Sequence, residues 1–180
     1  MAVRVAFLRG MNVGGHRITN AELAAAFAAL GFDSVTTFRA SGNVIFESGR
    51  RAEGELIAAI EEGLAEALGY AVPTFLRTSG ELRAIADFEP FDLGCVAASA
   101  GKLQVSLLSR RPTAEQREAI LALASEEDPL VVAERELYWL PSGGLLESEL
   151  DLDAVDSITG PSTRRTMRTI EGIAAKLAGG

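Results

Sequence analysis

The chain has 180 residues, 48% of them hydrophobic, and a formal net charge of −8. This length allows a buried core, and the composition argues against extensive disorder. The negative charge argues against a general nucleic-acid binder, because such proteins need Lys and Arg to neutralise phosphates. The first apolar run is too short for a secretory signal, and no stretch approaches the about 20 apolar residues of a membrane span. We therefore expect a cytoplasmic protein without membrane association.

Metal and redox chemistry have few side chains to use. Cys95 is the only cysteine and His16 the only histidine, which excludes an internal disulfide and a di-histidine zinc motif. The acidic run 147–156 lacks the calcium-loop pattern, so we expect no metal and no cofactor. Cys95 is interpreted as a small core residue rather than a nucleophile, and His16 as an exposed loop residue rather than a general base.

The first half of the chain predicts the order βαββαβ. A capping box at Thr19 and Glu22 starts the first helix, and Gly31 stops it. Pro73 favours an edge position for the fourth strand. The predicted elements are a strand at 3–8, a helix at 20–30, strands at 35–39 and 44–47, a helix at 53–68 and a strand at 72–76.

The second half predicts the order βαββαα. Thr113 and Gln116 form a second capping box. A short helix at 81–86 and an irregular stretch at 87–101 connect the halves. The elements that follow are a strand at 103–108, a helix from 114, strands at 130–133 and 137–140, a short acidic helix at 146–155 and a final helix at 163–177.

These orders predict an α+β fold with two ferredoxin-like lobes and antiparallel sheets. The βαββαβ order is that of the split βαβ sandwich, which the second lobe repeats incompletely before the C-terminal helix. We place the lobes at 1–90 and 91–180, and the pattern leaves open whether they pack as one compact domain.

A glycine-rich loop after the first strand is the sharpest motif. Its glycines can expose backbone amides to an anion, and its polar side chains add donors. The spacing matches neither the dinucleotide fingerprint nor the Walker loop, and a purely structural turn is the alternative. The candidate binding residues here are Arg9, Gly10, Asn12, Gly14 and Gly15.

Two further segments supply candidates. Ser41 and Asn43 flank Gly42 in the predicted hairpin, where Gly42 and Asn43 are expected at positive φ and Asn43 is most simply a turn residue. In the final helix, the candidates Arg164 and Arg168 share a face with Arg165. Arginines in a first helical turn are disfavoured unless negative charge lies nearby, so they indicate either ion pairs with the acidic run or a bound phosphate or carboxylate.

Charge is distributed unevenly along the chain. Residues 1–20 carry +3, residues 158–180 also carry +3, and the middle therefore carries −14. If the termini lie together, the two basic segments form one positive patch.

Three segments resemble a known family: the strand with Arg-Gly-Met-Asn-Val-Gly-Gly at 9–15, Ala-Ser-Gly-Asn-Val-Ile-Phe at 40–46, and the C-terminal run at 163–170. Together they are similar to the bacterial "domain of unknown function 1697" family. The third segment departs from the family's usual Thr-Thr-Arg-Asn-Trp, since residues 162–166 read Ser-Thr-Arg-Arg-Thr. The resemblance implies a two-lobed ferredoxin-like fold in a bacterial cytosolic protein, and no reaction.

The sequence therefore leaves the function open between two main hypotheses. The first is a binding protein whose glycine loop, 41–43 hairpin and C-terminal arginines form a shallow pocket for a small anionic ligand. The alternative is an interaction or homodimerisation module that pairs through a sheet edge or face. A third hypothesis is an enzyme that acts on a phosphorylated small molecule. The sequence shows no recognisable pair of nucleophile and base for it, so no catalytic residue is assigned. The oligomeric state is not predicted.

Overall fold

The structure is a computed structural model that describes residues 2–11, 17–39, 42–99, 102–143, 145 and 148–179. Contacts within the chain divide it into two compact units, residues 1–82 and residues 83–180. Among the helices in these described ranges, none is long and apolar enough to cross a membrane.

The first unit has the element order predicted for it. Its elements are β1 (Ala2–Leu8), α1 (Asn20–Ala29), β2 (Asp33–Thr37), β3 (Asn43–Ser48), α2 (Glu53–Leu68) and β4 (Thr74–Thr78). All strand pairs are antiparallel, and the strand order is β2-β3-β1-β4. This is the split βαβ arrangement of a ferredoxin-like lobe. β4 lies at the end of the sheet, as Pro73 indicates. α3 (Ser79–Ala86) follows and contains the boundary between the units.

Two helices cover one face of the first sheet because their apolar residues recur at helical spacing. Leu56, Ile60 and Leu64 form the buried stripe of α2, and Leu23 and Phe27 that of α1. They pack in one core with the strand residues Ala6, Leu8, Val44, Phe46 and Leu76. The predicted capping box of Thr19 and Glu22 starts α1, and Gly69 at φ 79° ends α2.

Several loops lie together at one end of this sheet, which we call the loop end. β1 leaves the sheet there after Leu8, β3 enters at Asn43 and β4 enters at Thr74, since Leu8 pairs with Thr74 and Phe7 with Asn43. β2 begins at the opposite end, where Asp33 pairs with Glu47. Because α1 joins β1 to β2, its first turn belongs to the loop end.

The second unit repeats this order and adds helices at both ends. Its elements are α4 (Leu93–Ala98), β5 (Gln104–Leu108), α5 (Ala114–Leu121), β6 (Leu130–Ala133), β7 (Glu136–Trp139), α6 (Leu152–Thr159), β8 (Ser162–Thr166) and α7 (Met167–Ala178). The antiparallel strand order is β6-β7-β5-β8. The predicted α+β fold with two lobes, antiparallel sheets and a C-terminal helix is confirmed, and each sheet has four strands.

β8 corrects the prediction of a helix from residue 163. Residues 162–166 pair along β5, from Leu108 opposite Ser162 to Gln104 opposite Thr166. Thr166 then caps α7, because its side chain accepts a hydrogen bond from the Thr169 amide. The second unit thus has the fourth strand that the sequence interpretation left out, and its order is βαββαβ followed by a helix.

Two smaller boundaries also differ from the prediction. The stretch predicted to be irregular at 87–101 contains α4, whose first turn is capped by the Asp92 carboxylate. The acidic helix predicted at 146–155 is α6, which begins at Leu152 behind the cap Asp151, while residues 146 and 147 lie outside the described residues.

Candidate functional site

At the loop end, two of the predicted motifs lie side by side. The Leu8 amide donates a hydrogen bond of 2.8 Å to the Gly42 carbonyl, and the Arg9 amide donates one of 2.9 Å to the Pro73 carbonyl. The start of the glycine-rich loop therefore runs between the β2–β3 turn and the start of β4. Proximity of the first and second motifs, which the sequence could only suggest, is a feature of this unit.

Two glycines shape this junction. Gly10 has φ 75° and Gly42 has φ 69°, a region that other residues rarely adopt. A Cβ atom on Gly42 would lie 2.9 Å from Met11 Cγ and 3.1 Å from Leu8 Cβ. Gly42 is therefore required both for its backbone conformation and for the close approach of the two segments.

Asn43 differs from its predicted backbone conformation. It does not have positive φ; among the described residues of this turn, Arg39 has positive φ, at 56°, in addition to Gly42. Asn43 is the first residue of β3 and is fully buried. Its Nδ2 donates 2.9 Å to the Phe38 carbonyl, and the Phe38 amide donates 2.9 Å to the Asn43 carbonyl. Its side chain thus holds the two sides of the turn together.

Arginines surround this junction in the chain. Arg9 follows β1, Arg17 precedes α1 and Arg39 precedes the turn; Arg9 is half-buried and the other two are exposed. The Arg39 guanidinium carbon lies 5.5 Å from the centre of the Phe38 ring, a cation–π distance. The sequence interpretation missed Arg39, although a basic residue directly before the 40–43 motif was a visible signal.

The carboxylates nearest to these segments in the fold have partners of their own. Glu22 accepts hydrogen bonds from the Thr19 amide at 2.7 Å and the Thr19 hydroxyl at 2.8 Å, and the first of these chiefly holds the pKa of Glu22 below its ordinary value. Glu61 accepts a bond of 2.8 Å from the Thr74 amide. Both carboxylates therefore serve to satisfy backbone amides.

Five of the residues singled out from the sequence lie outside the described residues. They are Asn12, Gly14, Gly15, His16 and Ser41. Their predicted roles stay predictions.

The C-terminal arginines do not share one helix face, which corrects the prediction. Arg164 and Arg165 lie on β8, where successive side chains point to opposite faces, and Arg168 alone lies on α7. Arg164 sits with its guanidinium carbon 5.1 Å from the centre of the Trp139 ring. Burial lowers its pKa, and the charge of Asp156, a member of the predicted acidic run, opposes that shift.

Arg165 is held by oxygen atoms of its own strand. Its Nη1 donates 2.9 Å to the Thr163 hydroxyl and 2.7 Å to the Arg164 carbonyl. Burial lowers its pKa to about 10, so it stays a cation at neutral pH. Arg168 is exposed in the first turn of α7.

Cys95 corrects another expectation. It is exposed on α4 and is therefore not a core residue, because α4 has no buried residue at all. The uncharged run at 93–101 was the signal for this helix, but its apolar composition suggested burial. Among the residues that the structure describes, no three His, Cys, Asp or Glu side chains are grouped to hold a metal ion.

A family model described as "Protein of unknown function (DUF1697)" matches residues 1–138. The chain belongs to this family. The resemblance inferred from the motifs is thereby confirmed, and the family's function is unknown. The match ends within β7, so the β8 arginines of this DUF1697 protein lie beyond it.

A solved structure has the same fold. The chain is similar to a conserved bacterial protein, SP0830, from Streptococcus pneumoniae, with a TM-score of 0.76 and 19% sequence identity, and the match covers 99% of both chains. No curated protein matches the chain. At this identity the likeness supports the fold alone.

Proposed function

We propose that this DUF1697 protein binds a small anionic ligand at the loop end of its first unit. The hydrogen bond from the Leu8 amide to the Gly42 carbonyl carries the proposal. This hydrogen bond joins two glycine-containing segments, and the residues adjoining these segments in the sequence include arginines. Small residues allow a ligand to approach the backbone closely, and guanidinium groups recognise phosphate and carboxylate.

Electrostatics support an anion rather than a cation. In the chain, Arg9 and Arg39 flank the joined segments, and Arg17 precedes α1. The carboxylates Glu22 and Glu61 accept hydrogen bonds from backbone amides. The segments of the loop end thus carry three arginines in a protein that is acidic overall, and this local basic character favours an anion.

The wider version of the site stays a prediction. The pocket predicted from the sequence also includes Arg164 and Arg168, which belong to the second unit, and Asn12, Gly14, Gly15 and Ser41, which lie outside the described residues.

Isothermal titration with inorganic phosphate, and separately with citrate, tests the proposal at constant ionic strength. Arg9→Ala and Arg39→Ala are each expected to weaken binding about tenfold or more, since a hydrogen bond to a charged group contributes about 1.5–3 kcal/mol. Arg50→Ala is the matched control, because Arg50 is exposed and follows β3 at the opposite end of the sheet. Its affinity is expected to stay within about twofold of the wild type.

Two results would contradict the proposal. One is the absence of binding by either anion. The other is an equal loss of affinity in Arg50→Ala, which would mean that the anions respond to net charge rather than to a site.

The alternative hypothesis, self-association through a sheet edge, is disfavoured for the edge formed by β2. This strand has only five residues, its register with β3 shifts between Asp33 and Thr36, and Ser34 has φ 50°. Short, irregular edge strands are a feature that protects sheets from pairing with other chains. Light scattering that found a dimer, abolished by substitutions in β2, would reverse this judgement.

A further inference from the structure

A groove lies within the second unit. We call it the unit-2 groove: residues 86–91 and the α4 side chains form one wall, and Leu103 with the first turns of α7 forms the other. Its volume is about 470 Å³, within the range of small-molecule sites. The Met167 amide donates 2.9 Å to the Leu103 carbonyl, so the α7 wall is fixed to the start of β5.

The lining of the unit-2 groove is largely apolar. Leu103 and Met167, both on the α7 wall, are buried. Phe88 is 38% exposed and packs on the ring of Tyr138 with centroids 5.0 Å apart, and Leu93 is 65% exposed. Exposed aromatic and aliphatic side chains around a concave surface favour a ligand with an apolar body.

Charged side chains of both signs complete the lining. Asp87 and Glu89 lie on the first wall, and Arg168 and Glu171 on α7. In the part of the chain that the structure describes, none of these four side chains has a hydrogen bond or ion pair. Arg168 also lies in a first helical turn that contains no acidic residue, where both its own charge and the helix dipole favour a carboxylate.

A ligand of single charge fits this lining poorly. An anion alone would meet three carboxylates, and a cation alone would meet Arg168 and the α7 N-terminus. A molecule that carries both an ammonium and a carboxylate satisfies both groups of charges. We propose that the unit-2 groove binds a free amino acid or dipeptide with a large apolar side chain, its carboxylate toward Arg168 and its ammonium toward Asp87 and Glu89.

Nuclear magnetic resonance of the full-length, ¹⁵N-labelled protein tests this inference. The probes are L-phenylalanine, 3-phenylpropanoate, which lacks the ammonium, phenethylamine, which lacks the carboxylate, and glycine, which lacks the apolar body. L-Phenylalanine is expected to shift the amide signals of residues 86–91 and 167–171. The other three are expected to bind about tenfold more weakly or worse, because each lacks one of the recognised groups.

Single substitutions test the charged side chains of each wall independently. Arg168→Gln and Glu89→Gln are each expected to weaken L-phenylalanine binding about tenfold. Lys176→Gln and Glu115→Gln, at exposed positions in α7 and α5 away from the groove, are matched controls that keep wild-type affinity.

Each of the other outcomes would overturn the inference. Equal or tighter binding of phenethylamine would make the groove a cation site, and equal or tighter binding of 3-phenylpropanoate would make it an anion site. Amide signals that shift only outside the groove, or no binding by any probe, would show that the groove does not bind an amino acid. The phosphate and citrate titrations of the loop end are independent of all these results.

Discussion

Gly42→Ala tests whether the two segments at the loop end are packed as closely as the structure has them. An alanine at φ 69° costs about 1–2 kcal/mol of folding stability because its Cβ crowds the backbone. The new Cβ would also lie 2.9 Å from Met11 Cγ, 3.1 Å from Leu8 Cβ and 3.3 Å from the Leu8 carbonyl oxygen. Met11 can move aside, but Leu8 cannot, since β1 is paired on both sides.

This crowding adds about 1–3 kcal/mol, the usual cost of an overpacked site. Gly42→Ala is therefore expected to lower the free energy of unfolding by about 2–5 kcal/mol, less about 0.4–1 kcal/mol for the reduced entropy of the unfolded chain. Gly31→Ala is the matched control: Gly31 has φ 81°, but a Cβ there meets no atom within 4 Å. Gly31→Ala is expected to lower the free energy of unfolding by the conformational part alone. That part is about 1 kcal/mol once the reduced entropy of the unfolded chain is counted.

Urea denaturation followed by circular dichroism measures both variants. Both variants carry the cost of the left-handed backbone conformation. The difference between their free energies of unfolding therefore reports the contact between Gly42 and Leu8. If Gly42→Ala is no less stable than Gly31→Ala, the two segments are not in close contact, and the proposed anion site loses its main support.

Two further predictions concern local interactions. Trp139→Phe removes the 2.7 Å hydrogen bond from Nε1 to the buried Asp128 carboxylate, and we expect a loss of about 1–3 kcal/mol in urea denaturation; an unchanged midpoint would contradict that role. Glu22 has a lowered pKa, so its stabilising hydrogen bonds with Thr19 are present above pH 4.5 and are lost as the pH falls through the folded-state pKa. In thermal denaturation between pH 6 and about pH 3, Glu22→Gln, which keeps a capping acceptor without the charge, should therefore lose less stability than the wild type. A parallel decline would show that Glu22 does not contribute to the acid sensitivity.

The loop-end site was only partly predictable from the sequence. Arg9, Gly10 and the turn containing Gly42 were identified from residue types that bind anions or adopt positive φ. Their contact depends on strand register, which places Phe7 opposite Asn43 and so brings Leu8 to Gly42. No turn joins β1 directly to β3, so their register depends on which side chains the folded sheet buries rather than on local turn geometry.

Local interactions determined the elements that the sequence identified correctly. The capping boxes at Thr19 and Thr113 involve groups three residues apart, and the helix at 53–68 is fixed by apolar spacing and by Gly69. The order of elements in the first unit followed from these signals. Each depends on atoms close in sequence, so the sequence alone is sufficient to predict them.

The tertiary structure alone decided between strand and helix at residues 162–166. Threonine favours strands and arginine favours helices, so the local preferences at these positions conflict. Pairing with β5 supplies the backbone hydrogen bonds that a helix would otherwise provide. The same applies to Cys95, which was interpreted as a core residue from its type, whereas its exposure on α4 depends on which surfaces the rest of the unit covers. The amino-acid sequence thus determined the capped helices and the fold class, and long-range packing determined the fourth strand of the second sheet and the surroundings of both candidate sites.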